Sequence, residues 1–447
     1  MGLSLEEAWI KAKNDPVFFA RWLLGFNPTD YQARLLRDNS KRVVIRWCRQ
    51  SGKSTTLAVK ALWFAVFHPN TTTLIVSPSL RQSVNLRDIV AGLIGRMPED
   101  ARGMVVCRVL RTIIYFWGDS RIVALPANPE TLRGYTAHMI LVDEADFFQD
   151  PETIFYGTLY PMLTSTDGWL IVSSTPWSKK GFFYKICHSN VFSQHVVGWV
   201  DAVKAGIAKR EVVEEAKTTL PPELFKREYL CEFVEASDVF LPSDLIAKCV
   251  DSKPLDGGWD YYPLEAKPKG NFYVGCDFGK KQDYSVVAVF DKREDETLRL
   301  VHLHRFQLET PYSSVIGYIK TLCENFRDVY AVYCDVTGVG EYIVEEMQRI
   351  GIPNVFGVNF TRQSKEAMAI PFKQAMLNGK IRIPYDRNLI NELNIEKYEV
   401  TKDGHYIFSH PEGSHDDQFW ALVLAYTASL KSSGGILIGG MKKPSLP

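Results

Sequence analysis

A short, mostly apolar run, Arg42-Val43-Val44-Ile45-Arg46-Trp47, passes straight into Cys48-Arg49-Gln50-Ser51-Gly52-Lys53-Ser54-Thr55, and the sequence turns helical from Ser54. Strand, loop and helix in that order, with Gly-Lys-Ser at the bend, confine the region to a phosphate-binding geometry of the Walker A type. The glycine lets backbone N–H groups approach phosphate oxygens, the lysine brings charge to the outer phosphates, and the hydroxyl can hold Mg2+. A helix opening at Ser54 aims its positive end at the same place. Trp47 stands where the first glycine of the usual pattern would be. The expected contacts to ATP and Mg2+ are Arg49, Gln50, Ser51, Gly52, Lys53, Ser54 and Thr55.

A second strand supports this. Met139-Ile140-Leu141-Val142 is wholly apolar and ends in Asp143-Glu144, a Walker B pattern. An Asp at the carboxyl end of a buried strand can hold the Mg2+ shell, and the next Glu can polarise the attacking water. Either acid could instead cap a helix. Ser173-Ser174-Thr175-Pro176 ends the following strand, where a polar tip can sense the outer phosphate. Gln32 lies just upstream of the loop strand, placed to read adenine's edge or simply to start a helix. Arg49 and Arg133 are candidate phosphate-neutralising arginines, and a salt-bridge role for either is equally open.

Around these motifs, apolar strands alternate with helical stretches, which argues a parallel sheet covered on both faces. Residues 1–40 read as a helical lead-in and about 200–234 as a helical subdomain, closing a first domain at 1–234. Residues 235–267 are rich in Pro, Gly and Asp and are expected to be a linker. A second α/β domain is expected over 268–432, then a flexible Gly/Ser/Pro-rich tail, 433–447. Lys and Arg total 52 and so do Asp and Glu, so a wholly basic nucleic-acid coat protein is excluded, although a local basic face is not. The eight cysteines include no CxxC pair, which argues against a zinc ribbon and fits a reducing compartment. No apolar stretch is long enough for a membrane span, and the N-terminus lacks a signal-peptide core, so a soluble intracellular protein is expected.

The second region places acids at strand ends. Asp277 closes Tyr273-Val274-Gly275-Cys276, Asp283 follows six residues later, Asp335 closes another apolar strand, and His415-Asp416-Asp417 opens the last helix. Each Asp alone could cap a helix or form a turn. Together they match two-metal phosphodiester hydrolysis, which needs converging carboxylates, and oxygen-only ligation selects Mg2+ or Mn2+. Asp283 and His415 are candidates for a second ion or for supporting the ligands. Lys179-Lys180, Lys280-Lys281 and the hairpin expected around Asp403-Gly404, with Lys397, Lys402 and His405, could hold a phosphate backbone or simply solvate the surface.

Trp47 to Thr55, Leu132 to Asp146 and Ser173 to Trp177, in this order, resemble the ATPase half of the large terminase subunits of tailed viruses and proviruses. The acidic constellation resembles the nuclease half of the same family. The resemblance implies an N-terminal P-loop ATPase (ASCE/RecA-like) with a mostly parallel sheet, and a C-terminal RNase H-like nuclease of the resolvase/integrase type. It implies that Asp143 is the Walker B acid, Glu144 the catalytic acid, Ser174-Thr175 the coupling motif, and Arg49 and Arg133 the family's arginines, acting within or between ring neighbours. It implies Asp277, Asp335 and one of Asp416 and Asp417 as ligands for two Mg2+ or Mn2+ ions. The implied function is ATP-driven packaging of double-stranded viral DNA with endonucleolytic cutting of the concatemer, in the host cytoplasm. The implied partners are the portal, a small terminase subunit and further copies in a ring. A helicase-like repair translocase, and an ATPase carrying an inactive DNA clamp, remain alternatives.

Overall fold

The computed structural model describes residues 3–431 except 178, 180, 221, 235–238, 280–282, 339–340, 353, 401–405 and 412–413. Lys180, Lys280, Lys281, Lys402, His405, the Asp403-Gly404 turn and the 433–447 tail therefore lie outside the described residues. The chain divides into two compact units, Met1–Glu235 and Ala236–Pro447.

In the first unit, helices Leu5–Asn14, Pro16–Leu24 and Asp30–Arg37 lead in. Their boundaries are chemical: Ser4 and Glu7 form a capping box, and Asp15 caps the second helix just before Pro16. The sheet comprises β1 (Arg42–Trp47), β2 (Thr72–Ser77), β3 (Val106–Val109), β4 (Ile113–Phe116), β5 (Arg121–Pro126), β6 (Met139–Val142), β7 (Trp169–Ser173) and β8 (Ser193–Val197). Its order is β3-β4-β5-β2-β6-β7-β1-β8, parallel from β5 to β8, with β3 and β4 antiparallel at one edge. Strand alternation splits the core between two faces. Val43, Ile45, Ile75 and Leu141 pack with the lead-in helices and helix Lys53–Phe67. Val44, Leu74, Ile140 and Val142 pack on the other side with Phe155, Phe182 and Phe183. β7 lies between β1 and β6, so three loops meet at one end of the sheet. The motifs gave no sign of the β3–β4 hairpin or of β8, whose residues are largely half-exposed or exposed.

The second unit has its own sheet: β9 (Lys269–Asp277), β10 (Val286–Lys292), β11 (Leu298–Arg305), β12 (Arg327–Asp335), β13 (Val355–Val358) and β14 (Ile381–Arg382). The order is β13-β12-β9-β10-β11-β14, an antiparallel β9–β10–β11 meander with β12 added parallel to β9. β15 (Lys397–Val400) and β16 (Tyr406–Ser409) pair antiparallel. Helix Asp417–Lys431 lies directly on β9. A Cβ on Gly275 would fall 2.1 Å from Ala421 O and 2.3 Å from Ala425 N.

The linker expectation needs correcting. Much of 235–267 is built into the second unit. Helix Ser243–Cys249 is flanked by buried Phe240, Leu241, Val250 and Leu255. Phe240 N–H donates to Glu396 O (2.7 Å), Asp251 N–H to Ile383 O (2.7 Å) and Tyr262 N–H to Val301 O (2.8 Å). The Pro and Gly residues mark turns, whereas scattered apolar side chains anchor the segment. Among the described residues, no helix is long and apolar enough to cross a membrane.

Candidate functional sites

Trp47 takes the glycine position because the loop is braced from beneath. Its ring, 3% exposed, meets Tyr31 edge-on at 4.9 Å, and the Tyr31 hydroxyl donates to Ser51 O (2.8 Å). Ser51 Oγ donates back to Cys48 O (2.7 Å). The turn then passes through left-handed Gln50 (φ 58) and Gly52 (φ 79) before helix Lys53–Phe67. Gly52 is required here: a Cβ would lie 2.4 Å from Gln32 Nε2. Gln32 is buried; its Oε1 accepts from Thr29 N–H (2.9 Å) and its Nε2 donates to Ser51 O (3.4 Å). As it stands, this amide braces the loop.

Lys53 reaches across the sheet end. Its Nζ lies 3.1 Å from Asp143 Oδ1 and 3.6 Å from Glu144 Oε1. The end of β7 and the two residues after it serve both acids: Ser173 Oγ donates to Asp143 Oδ1 (2.7 Å), while Ser174 Oγ (3.4 Å) and Thr175 N–H (3.3 Å) donate to Glu144 Oε2. Glu144 is buried and left-handed (φ 56), a costly conformation that persists only where surroundings impose it. Ser54 and Thr55 are half-buried in the first turn of the helix. Trp177 N–H donates to Asp146 Oδ2 (2.9 Å), and the buried Arg227 guanidinium lies 4.4 Å from the Trp177 ring centroid. Arg49 turns toward helix Pro222–Tyr229: its N–H donates to Glu228 O (2.9 Å), and its Nε lies 4.0 Å from Glu228 Oε2. Arg133 is exposed, at the end of helix Pro129–Leu132.

In the second unit, β9 and β12 run parallel with Cys276 opposite Cys334, so Asp277 and Asp335 emerge side by side. Helix Asp417–Lys431, seated on Gly275, brings Asp416 and Asp417 to the same end. The effect on ionisation is collective. Burial, then the charges of Asp335, Asp417 and Asp416, push the Asp277 carboxyl well above the usual range. Burial raises Asp335 against two hydrogen bonds from Thr337, N–H at 2.8 Å and Oγ1 at 2.6 Å. Asp417 is pushed up to about 7 by burial, opposed by the Tyr284 N–H (3.2 Å), with Asp416 and Asp283 adding repulsion. Asp283 is exposed. His415 Nδ1 lies 3.8 Å from Asp417 Oδ2. Asp416 Oδ2 accepts from Trp420 Nε1 (2.8 Å). Glu396 is fully buried near Asp416, and burial lifts its carboxyl to about 9.

An all-oxygen donor set whose members repel one another suits a hard divalent cation. Among the described residues, however, no trio of His, Cys, Asp or Glu is arranged to hold a metal ion as it stands. Thr337, Trp420 and Tyr284 each orient one carboxylate by a hydrogen bond. Trp420, four residues after Asp416, was legible as a helical neighbour. Glu396 lies where no motif pointed. Of the expected backbone-binding lysines, Lys179 and Lys397 are described; Lys397 is in β15.

Residues 45–248 match the family described as terminase large subunit, T4likevirus-type, N-terminal, and residues 274–429 match the terminase RNaseH-like domain. The chain is 27% identical over 454 residues to the terminase large subunit of Thermus virus P23-45, covering 91% of this chain and 88% of that one. Among solved structures, the large terminase ATPase domain of Thermus phage P74-26 aligns at 22% identity and TM-score 0.44, over 49% of this chain and 99% of that one. The large terminase nuclease of thermophilic phage G20c, solved with bound magnesium, aligns at 27% identity and TM-score 0.36, over 43% and 98%. With a terminase large-subunit N-terminal match followed by a terminase RNaseH-like match along one sequence, the chain belongs to the large terminase subunits, which join an ATPase and a DNA endonuclease in one polypeptide.

Proposed function

We propose that this chain packages double-stranded viral DNA by ATP hydrolysis in its first unit and cuts the concatemer in its second. One observation carries the ATPase half: Lys53 closes on Asp143 and Glu144 across the end of β7, where Ser173 and the next two residues, Ser174 and Thr175, hold both acids. Lys53 and the backbone at Gly52 bind the phosphates. Ser54 and Asp143 would hold Mg2+, which supplies charge neutralisation at the outer phosphates. Glu144, fixed by Ser174 and Thr175, orients and polarises the water. Ser174 also accepts from Asp146 N–H (3.2 Å), so a shift at Glu144 reaches the Asp146–Trp177–Arg227 stack and helix Pro222–Tyr229. Arg49, beside Glu228, and exposed Arg133 are the arginines available to the outer phosphate, within one chain or from a ring neighbour.

In the second unit, Asp277, Asp335, Asp416 and Asp417 would hold two Mg2+ or Mn2+ ions, with Asp283 and His415 beside them. Bound ions activate water and neutralise the phosphodiester. The hydrogen bonds from Thr337, Trp420 and Tyr284 each engage a single oxygen, at Asp335 Oδ1, Asp416 Oδ2 and Asp417 Oδ2, which leaves lone pairs on each carboxylate for an ion. Contacts to duplex DNA fall on the backbone, and the portal, a small terminase subunit and further copies are the partners, in the host cytoplasm.

Lys53→Ala and Glu144→Ala should each lower ATP turnover at least about 10²-fold in a phosphate-release assay. Asp277→Ala and Asp335→Ala should abolish plasmid cutting in Mn2+ with ATP turnover kept. Turnover that survives both P-loop changes, or cutting that survives both aspartate changes, sinks the corresponding half. The second reading is a DNA clamp without catalysis, and a calorimetric titration showing no Mn2+ uptake would select it.

A further inference from the structure

The stretch between β13 and β14, where no motif pointed, brings a cation to the carboxylates. Lys365 lies in the first turn of helix Arg362–Leu377 and is half-buried. Its ammonium sits 4.4 Å from the Trp420 ring centroid and 5.1 Å from that of Phe360, and the two rings are 5.0 Å apart. Each ring belongs to one arm of the cluster. Trp420 Nε1 donates to Asp416 Oδ2 (2.8 Å). Phe360 N–H donates to Thr337 Oγ1 (2.6 Å), and that hydroxyl donates to Asp335 Oδ1 (2.6 Å). The ammonium is thus held between the strand-end and helix-end acids. It is near enough for its charge to lower the Asp277, Asp335 and Glu396 carboxyls, although burial wins at all three.

A lysine serving only as counter-ion would gain most by a direct salt bridge. Among the described residues Lys365 forms none and rests on aromatic faces instead. Ring quadrupoles attract the cation without taking up its N–H donors, so the donors stay available to an incoming acceptor. The acids stay available to metal ions. Two divalent ions balance the four aspartates, which leaves the single negative charge of a phosphodiester, growing as water attacks, to be met by this ammonium.

We propose that Lys365 is a catalytic residue of the nuclease, its ammonium gripping a nonbridging oxygen of the scissile DNA phosphate. This rests on the nuclease reading above. The test uses the full chain with Lys365→Met and Lys365→Arg. Three quantities are measured: plasmid cutting in Mn2+, Mn2+ binding by calorimetry, and the salt dependence of binding to a short DNA duplex with Ca2+ in place of Mn2+. Thermal unfolding and ATP turnover report folding. Lys365→Met should lower kcat for cutting about 10²-fold and leave Mn2+ binding equal or tighter. It should also reduce the log–log salt slope by about 0.9, the value of one lost phosphate contact. Lys365→Arg should recover part of both. Wild-type cutting with an unchanged slope in Lys365→Met overturns the lysine's role, as does loss of Mn2+ binding, which would mark a structural part. If the wild type neither cuts nor takes up Mn2+, the nuclease reading itself fails.

Discussion

Trp47 occupies a glycine's place because Tyr31 supports it from below and ties Ser51 into the loop, so only Gly52 must be small. Single residues also set pH behaviour. His302 is buried, its Nδ1–H donating to Tyr262 O (2.7 Å) and its Nε2 accepting from the Tyr318 hydroxyl (2.9 Å). Burial keeps the ring neutral down to about 4. In the unfolded chain the imidazole takes its proton near 6.5, so between those values the unfolded state binds more protons. This contribution is intact above pH 6.5 and drains away as pH falls, by about 3 kcal/mol. Denaturant titrations at several pH values should show a flatter acid-side loss in His302→Gln than in the wild type. Parallel curves would mean that His302 protonates without cost.

Elements meet more tightly than their sequences announce. Helix Asp417–Lys431 can carry Asp416 and Asp417 to Asp277 only because β9 offers it a glycine at 275. Gly275→Ala puts a methyl into the backbone of Ala421 and Ala425, so the helix must lift. Overpacking of this kind costs about 1–3 kcal/mol. We expect the variant to unfold earlier, to lose Mn2+-dependent cutting and to keep ATP turnover. A variant that cuts plasmid normally would show that the helix has slack. The linker belongs at this scale too. Its composition described the turns around Ser243–Cys249, whereas Phe240, Leu241 and Leu255 recorded the docking.

Across the whole molecule there are two units, each with its own sheet and core. A ligand that binds one folded unit stabilises that unit by mass action, about 2.7 kcal/mol at a hundredfold excess over its Kd. In calorimetry, a nonhydrolysable ATP analogue with Mg2+ should raise the unfolding transition of the first unit. Mn2+ alone should raise that of the second, and Asp335→Ala should remove only the Mn2+ effect. A single transition that moves equally with either ligand would mean the units unfold together.

The sequence alone determined the chemistry-bearing ends of strands. Val-Val-Ile before Gly52-Lys53-Ser54, Met-Ile-Leu-Val before Asp143-Glu144, and apolar runs before Asp277 and Asp335 are local patterns, because a buried strand must be apolar and its exit polar. Local pattern also exposed the last helix and its Asp pair. Tertiary structure decided which ends meet. The place of β7 between β1 and β6 puts Ser173, Ser174 and Thr175 on the two acids, and the parallel register of β9 and β12 sets Asp277 beside Asp335. Lys365 and Glu396 had no signal at all: a cation over two rings, and a buried acid, are defined by neighbours distant in sequence. Periodicity reports which face of an element is apolar; proximity between elements follows from packing, which no single segment encodes.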